Sequence, residues 1–107
     1  MTQVRIEPGI CGMPTVIEVD TAGKFAVTIK LTGECEKVLS MSNSLSYIKV
    51  GDALRPHVSS VVYKCAAECN LCASCAVPAG ILKAVEVESG LALPRPVTIT
   101  FQNKSQK

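Results

Sequence analysis

The sequence predicts a small α+β domain in which a mainly antiparallel sheet is covered by about three helices. Runs of alternating apolar and polar residues, typical of half-buried strands, occupy the first third of the chain and its end. Between them, apolar residues recur at three- and four-residue steps, which is typical of helices with one buried face. With 107 residues, 48% apolar and 19% charged, the chain has the size and composition of one globular domain covering residues 1–107.

Three strands are predicted before the first helix, and one strand after the last. Residues 2–7 alternate weakly and predict a short first strand. Residues 15–20 and 25–31 are rich in β-branched residues and are joined by four residues that include a glycine, so they predict a hairpin. Residues 97–101 alternate again. The sheet is therefore expected to contain an N-terminal hairpin plus a C-terminal strand.

The three predicted helices lie between Gly33 and Gly90. Ser59 or Ser60 is the expected N-cap of the second helix, because a serine oxygen accepts a hydrogen bond from a free amide of the first turn. Pro78 suits the first turn of the third helix, and Gly90 suits the position just after its end. The first two helices are predicted at residues 35–48 and 59–75, and the third from Pro78 to just before Gly90.

Charge and hydropathy exclude several classes of partner. The formal net charge is +2, the basic residues are scattered, and only 4% of residues are aromatic, so we expect no nucleic-acid partner. No stretch approaches the roughly 20 apolar residues of a membrane span, so we expect no membrane partner. The N-terminus lacks the apolar segment of a signal peptide. These features predict a cytoplasmic protein.

Cysteines are the strongest functional signal in the sequence. Four of the six fall within eleven residues, with the spacing C-x3-C-x2-C-x2-C. In a reducing compartment, such a group indicates metal binding or thiol chemistry rather than a disulfide framework. The predicted site residues are Cys65, Cys69, Cys72 and Cys75 as ligands of a cofactor, with Cys11 and Cys35 as further metal ligands.

The preferred cofactor is an iron–sulfur cluster. Cys69, Cys72 and Cys75 match the first three positions of the ferredoxin pattern C-x2-C-x2-C-x3-C-P. No cysteine follows them, so the fourth ligand has to come from Cys65, Cys11 or Cys35. The corresponding function is electron transfer, or an accessory role to a redox enzyme, with a redox protein as the partner.

Three alternatives remain open at this point. Zinc also accepts thiolates, and Cys69 and Cys72 can be paired with Cys11 and Cys35. A C-x2-C step, together with a cysteine at a helix start, also suits thiol-redox or sulfur-handling chemistry. Finally, the four clustered cysteines share about one third of a helical circumference, as they would if they packed as small apolar residues without metal in a structural or interaction domain.

The predicted hairpin also constrains the positions of the two remaining cysteines, Cys11 and Cys35. Cys11 lies four residues before the first strand of the hairpin, and Cys35 lies four residues after the second. Antiparallel pairing places the start of one strand beside the end of the next. We therefore predict that Cys11 and Cys35 lie at one end of the sheet, and that residues 65–75 pack there to form one site.

Five segments of the chain carry a family resemblance. They are residues 6–12 (IEPGICG), 33–36 (GECE), the cysteine segment 65–75, 78–81 (PAGI) and 90–94 (GLALP). With these motifs, which span most of its length, the chain resembles a family of small cysteine-rich proteins of unknown function from anaerobic prokaryotes. The resemblance implies no particular activity. It implies an oxygen-poor cytoplasm, in which an exposed iron–sulfur cluster would survive.

Overall fold

A computed structural model describes residues 1–102. The order of elements confirms the α+β class, with four antiparallel strands and a set of short helices. The strands are β1 (Thr2–Ile6), β2 (Thr15–Thr21), β3 (Ala26–Gly33) and β4 (Tyr47–Lys49). The helices are α1 (Glu36–Ser40), α2 (Ser42–Leu45), α3 (Val50–Ala53), α4 (Val61–Glu68) and α5 (Val77–Glu88), with a 3-10 turn at His57–Ser59.

The sheet has the strand order β1-β2-β3-β4, and every neighbouring pair is antiparallel. The predicted hairpin is confirmed as β2 and β3, in a register that pairs Thr15 with Gly33. Alternate residues of β2, including Ile17 and Val19, are fully buried against the helices. The sheet thus buries one face, and its buried residues join those of the helices in a single apolar core.

The region between β3 and α3 differs from the predicted helix at 35–48. It contains two short helices, α1 and α2, followed by the strand β4. Ile48 pairs with Val27 of β3, and its side chain is buried in the core. Most of the apolar residues in the predicted stripe do face the core. At the C-terminal end of the stripe, however, residues 47–49 pair with the open edge of β3 instead of continuing as a helix.

Helix α4 also differs from its prediction, because it ends at Glu68 instead of continuing to Cys75. Asn70 has a φ of 59°, a left-handed conformation that stops a helix. The amide of Asn70 donates to the carbonyl of Ala67, and the amide of Leu71 donates to that of Ala66. This pair of bonds is a Schellman motif, so the chain leaves the helix before Cys72. At the other end, Ser60 is the N-cap, as predicted.

Helix α5 agrees with its prediction at both ends. Pro78 lies in the first turn, and Gly90, with a φ of 76°, follows the last turn. The helix packs against β1 and β2, and Gly80 lies so close to Ile6 that a Cβ there would be 2.3 Å from its Cδ1 atom. Among residues 1–102, no helix is long and apolar enough to cross a membrane.

The predicted C-terminal strand at residues 97–101 is wrong. These residues have no regular secondary structure, and their apolar side chains are exposed to solvent. The fourth strand of the sheet is β4, which the sequence pattern assigned to a helix. An alternating apolar pattern indicates that a segment is able to form a strand, but a strand also needs a neighbouring strand to pair with. Within the described chain, residues 97–101 have no such neighbour.

Candidate functional site

Several of the segments that carry cysteines meet the sheet at one of its ends. The pairs Ile6–Thr15 and Thr15–Gly33 close this end of the strands, and we call it the cysteine end. Cys11 lies in the loop that joins β1 to β2, and Cys35 lies two residues after Gly33. The register therefore confirms that both belong to the same end of the sheet.

The start of α5 belongs to the same end. Gly80, in its first turn, approaches the side chains of Ile6 and Ile17. Cys75 lies two residues before this helix, in the loop that follows α4. The fold therefore places Cys75, near the end of the cysteine-rich loop at residues 69–76, on the side of the sheet end where Cys11 and Cys35 lie.

Cys11 occupies a tight turn that projects into solvent. The amide of Gly12 donates to the carbonyl of Gly9 over 3.0 Å, so the turn closes around Ile10 and Cys11. Gly9 and Gly12 have φ values of 84° and 66°, which only glycine adopts without strain. The thiol of Cys11 is exposed and free.

Cys35 is the N-cap of α1, which confirms that it lies at a helix start. Its backbone is extended, and its carbonyl accepts a 3.0 Å hydrogen bond from the amide of Leu39. Its side chain caps no amide, and it packs, half-buried, against the apolar core. Glu36 in the first turn adds negative charge beside this thiol.

Cys65 lies in α4, and Cys69, one turn later, is the C-cap residue of that helix. Cys65 is 3% exposed, and its Sγ atom is 3.8 Å from the carbonyl oxygen of Met41. The pKa of Cys65 is raised to about 11, mainly by burial and then by the neighbouring thiol of Cys69, while Ser44 acts in the opposite direction. At neutral pH the Cys65 thiol is therefore protonated and part of the core.

Cys72 and Cys75 lie on the loop between α4 and α5. The amide of Cys75 donates to the carbonyl of Cys72 over 3.0 Å, so these residues are the first and last of a reverse turn. In such a turn the two Cα atoms are within about 7 Å. Cys72 is exposed, whereas Cys75 is half-buried and contacts the core. The structure thus groups the clustered cysteines as two pairs.

No complete metal site is assembled in the part of the chain that the structure describes. Among residues 1–102, no three Cys, His, Asp or Glu side chains are placed to hold one metal ion. The single site of six thiols stays a prediction. His57, the only histidine, lies in the turn before α4 and packs against Tyr63, with ring centroids 4.8 Å apart and ring planes tilted by 45°.

Sequence reasoning missed one polar group at the cysteine end. Thr15 is 1% exposed, and its Oγ1 atom has no hydrogen-bond partner within residues 1–102. A buried hydroxyl of this kind is uncommon, because an unpaired polar atom destabilises the folded state. Thr15 alternates with Ile17 and Val19 on the buried face of β2. Only the register of the sheet locates it at the cysteine end.

The fold and its thiols define a class of protein: a small α+β domain with an antiparallel sheet, short helices and six free cysteines. The chain belongs to the family of unknown function DUF6951, whose model matches residues 2–101. The resemblance to an uncharacterised family is therefore confirmed at that level. No curated protein and no solved structure matches the chain.

Proposed function

We propose that this protein binds an iron–sulfur cluster at the cysteine end of its sheet and exchanges electrons with a redox protein. One observation carries the proposal. The left-handed turn at Asn70 ends α4, so that Cys72 and Cys75 lie on a loop and Cys69 at its start. A loop with C-x2-C steps can wrap around a cluster, which a continuous helix cannot do with the same spacing.

The loop placement also weakens the alternative of inert packing. That alternative requires the four clustered cysteines to share one buried helical stripe. Cys72 is exposed and outside any helix, so it does not act as a core residue. Only Cys65 has the burial and the carbonyl contact expected of a thiol used for packing.

The fourth ligand is expected to be Cys11 or Cys35. Metal ligation requires a thiolate, and the raised pKa of Cys65 makes its deprotonation the least favourable. Cys11 lies on an exposed turn flanked by glycines, and Cys35 lies at the N-terminus of α1. Closure of the loop at 69–76 over this end would complete the ligand set. The unpaired hydroxyl of Thr15 is then available as a hydrogen-bond donor near the cluster.

The proposed setting is a cytoplasm poor in oxygen. All six cysteines are free thiols, which suits a reducing compartment. A cluster held by an exposed loop would be open to oxidation, but also to electron transfer with a protein docked on that loop. The partner expected from this arrangement is a redox protein.

The test is anaerobic purification, or reconstitution with iron and sulfide, followed by iron and sulfide analysis and visible and electron paramagnetic resonance spectra. We expect iron and sulfide in stoichiometric amounts, and loss of both in Cys69→Ser, Cys72→Ser and Cys75→Ser. Cys65→Ala is the matched control and should keep the cluster. Comparing Cys11→Ser with Cys35→Ser identifies the fourth ligand.

Three results would overturn the proposal. A colourless protein without iron after anaerobic reconstitution excludes the cluster. Stoichiometric zinc without sulfide assigns the site to zinc instead. Equal iron content in wild type and in Cys72→Ser shows that the loop is not the site.

A second candidate function is thiol–disulfide chemistry, which the contact between Cys65 and Cys69 favours. These thiols are close enough to interact, and Cys69 is the more exposed of the two. If this is the function, a mild oxidant should join one defined pair of cysteines, and glutathione should reverse the bond. Random cross-linking of all six thiols would contradict it.

A further inference from the structure

The segment after α5 carries exposed apolar side chains that the core does not use, namely Leu91, Leu93, Val97, Ile99 and Phe101. Every residue from 93 to 102 is exposed. The exposed fractions of Val97, Ile99 and Phe101 are 65%, 83% and 97%. The molecule is also extended: its radius of gyration is 14.3 Å, compared with about 13 Å for a compact domain of this length. We call residues 97–101 the tail strand.

The tail strand has the chemistry of a β-strand without a partner. Val97, Ile99 and Phe101 alternate with Thr98 and Thr100, so it presents one apolar and one polar face. All five residues are β-branched or aromatic, the types that strands prefer. No backbone hydrogen bond among the described residues involves any of them. Exposed apolar residues in such a pattern indicate a surface that is covered in the functional state.

The same chain carries an edge that fits the tail strand. β1 is the first strand in the sheet order and pairs only with β2, so its outer side has free amide and carbonyl groups. It contains five residues, as the tail strand does. Thr2, Val4 and Ile6 are its partly buried positions and face the helices, whereas Gln3 and Arg5 are exposed.

Antiparallel pairing of the two segments with aligned ends matches their faces. It sets Val97 opposite Ile6, Ile99 opposite Val4 and Phe101 opposite Thr2. Residues directly opposite each other share a face of the sheet, so the three apolar side chains would extend the core beside α5. The two threonines of the tail strand would lie opposite Gln3 and Arg5 on the polar face.

We propose that the tail strand of one copy adds to β1 of a second copy, and that the exchange is reciprocal. The tail leaves α5 at the Thr2 end of β1, because Glu88 in the last turn is hydrogen-bonded to Thr2. On its own β1 it would therefore run parallel, whereas a second copy permits the more stable antiparallel pairing. Pro94 and Pro96 favour an extended connection that holds the tail strand away from its own body. Because each chain carries both the strand and the edge, the exchange closes as a two-fold dimer.

The test uses two variants of the full chain that add the same charge at neighbouring positions. Ile99→Lys places it on the apolar face of the tail strand, and Thr100→Lys places it on the polar face, opposite the uncharged Gln3. Both residues are exposed in the single copy, so neither change should disturb its folding, and unchanged circular dichroism checks this. Light scattering during gel filtration under reducing conditions then measures the mass.

We expect wild type and Thr100→Lys to be dimers, and Ile99→Lys to be a monomer at the same concentration. Hydrogen exchange should show slow amides in the tail strand of the dimer, and fast ones in Ile99→Lys. A monomeric wild type overturns the proposal. If its tail amides are slow, the strand pairs with its own β1, and if they are fast, it pairs with nothing. A dimer that survives Ile99→Lys also overturns it, because another surface then makes the contact.

Discussion

The Oε1 atom of Glu88 accepts a 2.7 Å hydrogen bond from the hydroxyl of Thr2, and so ties the last turn of α5 to the first residue of β1. Its Oε2 atom accepts from the amide and the hydroxyl of Thr21, at 3.1 and 2.9 Å. One carboxylate thus holds α5 to both strands beneath it. The hydrogen bonds from Thr2, and then those from Thr21, hold the pKa of Glu88 below its usual value.

Glu88→Gln should lower the free energy of unfolding by about 1 kcal/mol near neutral pH, because hydrogen bonds to the charged carboxylate are lost at a partly solvated site. The pKa of Glu88 is lower in the folded state, so its contribution is present above the pKa of an unfolded glutamate, about 4.3. It is lost as the pH falls through the folded-state pKa. Urea unfolding at several acidic pH values measures both effects. Glu86→Gln, on the same helix, is the control, and parallel acid profiles for wild type and Glu88→Gln would contradict the prediction.

Cys65 should be the least reactive thiol of the chain and Cys72 among the most reactive. The pKa of Cys65 is raised to about 11 by its burial, and only a thiolate attacks iodoacetamide. Timed alkylation of the metal-free protein followed by peptide mass spectrometry gives the rate at each site. Equal rates at Cys65 and Cys72 in the folded protein would show that the core around α4 opens freely.

Stability should also fall at alkaline pH because of Cys65. An unfolded cysteine loses its proton near pH 8.5, about the ordinary value, whereas folded Cys65 keeps it until about pH 11. The protonated thiol therefore contributes stability below the unfolded pKa, and this is lost as the pH rises through the folded one. Cys65→Ala should lower stability by about 1–2 kcal/mol near neutral pH and should flatten the alkaline decline. A decline of the same size in Cys65→Ala would assign it to another group.

Asn70 is the residue whose conformation separates α4 from the cysteine loop. Its φ of 59° is tolerated by asparagine, is unstrained for glycine, and is unfavourable for a β-branched residue. Asn70→Gly should therefore be close to neutral, and Asn70→Val should destabilise the protein by about 1–2 kcal/mol. Ala73→Val, in the same loop and exposed, is the control for side-chain size. Urea midpoints compare the three, and equal effects of the two valine variants would contradict this account.

Gly80 allows α5 to lie directly on β1. A Cβ at this position would clash with the Cδ1 atom of Ile6 and press on Ile17, so Gly80→Ala should destabilise the protein by about 1 kcal/mol after the better helix propensity of alanine offsets part of the clash. Ile6→Val removes that methyl group and should recover part of the loss in the double variant. Gly51→Ala in α3 is the control, because a Cβ there meets no atom within 4 Å. Strictly additive losses for Gly80→Ala and Ile6→Val would refute the contact.

Part of the candidate site could be predicted from the sequence. The hairpin register follows from alternation and a short glycine-containing turn, and it places Cys11 and Cys35 at one end of the sheet. The short spacing of Cys72 and Cys75 limits how far apart they can lie. The burial and raised pKa of Cys65 could not be predicted. They depend on packing against the carbonyl of Met41, which lies 24 residues earlier in the chain.

By itself, the sequence determined the α+β class, the β2–β3 hairpin, and α5 with its proline start and glycine end. Each depends on residues close together in the chain, where side-chain periodicity and backbone preference act directly. Only the tertiary structure decided that residues 47–49 form a strand against β3, and that residues 97–101 lie unpaired. An alternating apolar pattern shows that a segment is able to form a strand. Whether it does so depends on whether the folded chain leaves an open sheet edge beside it, and that depends on the whole fold.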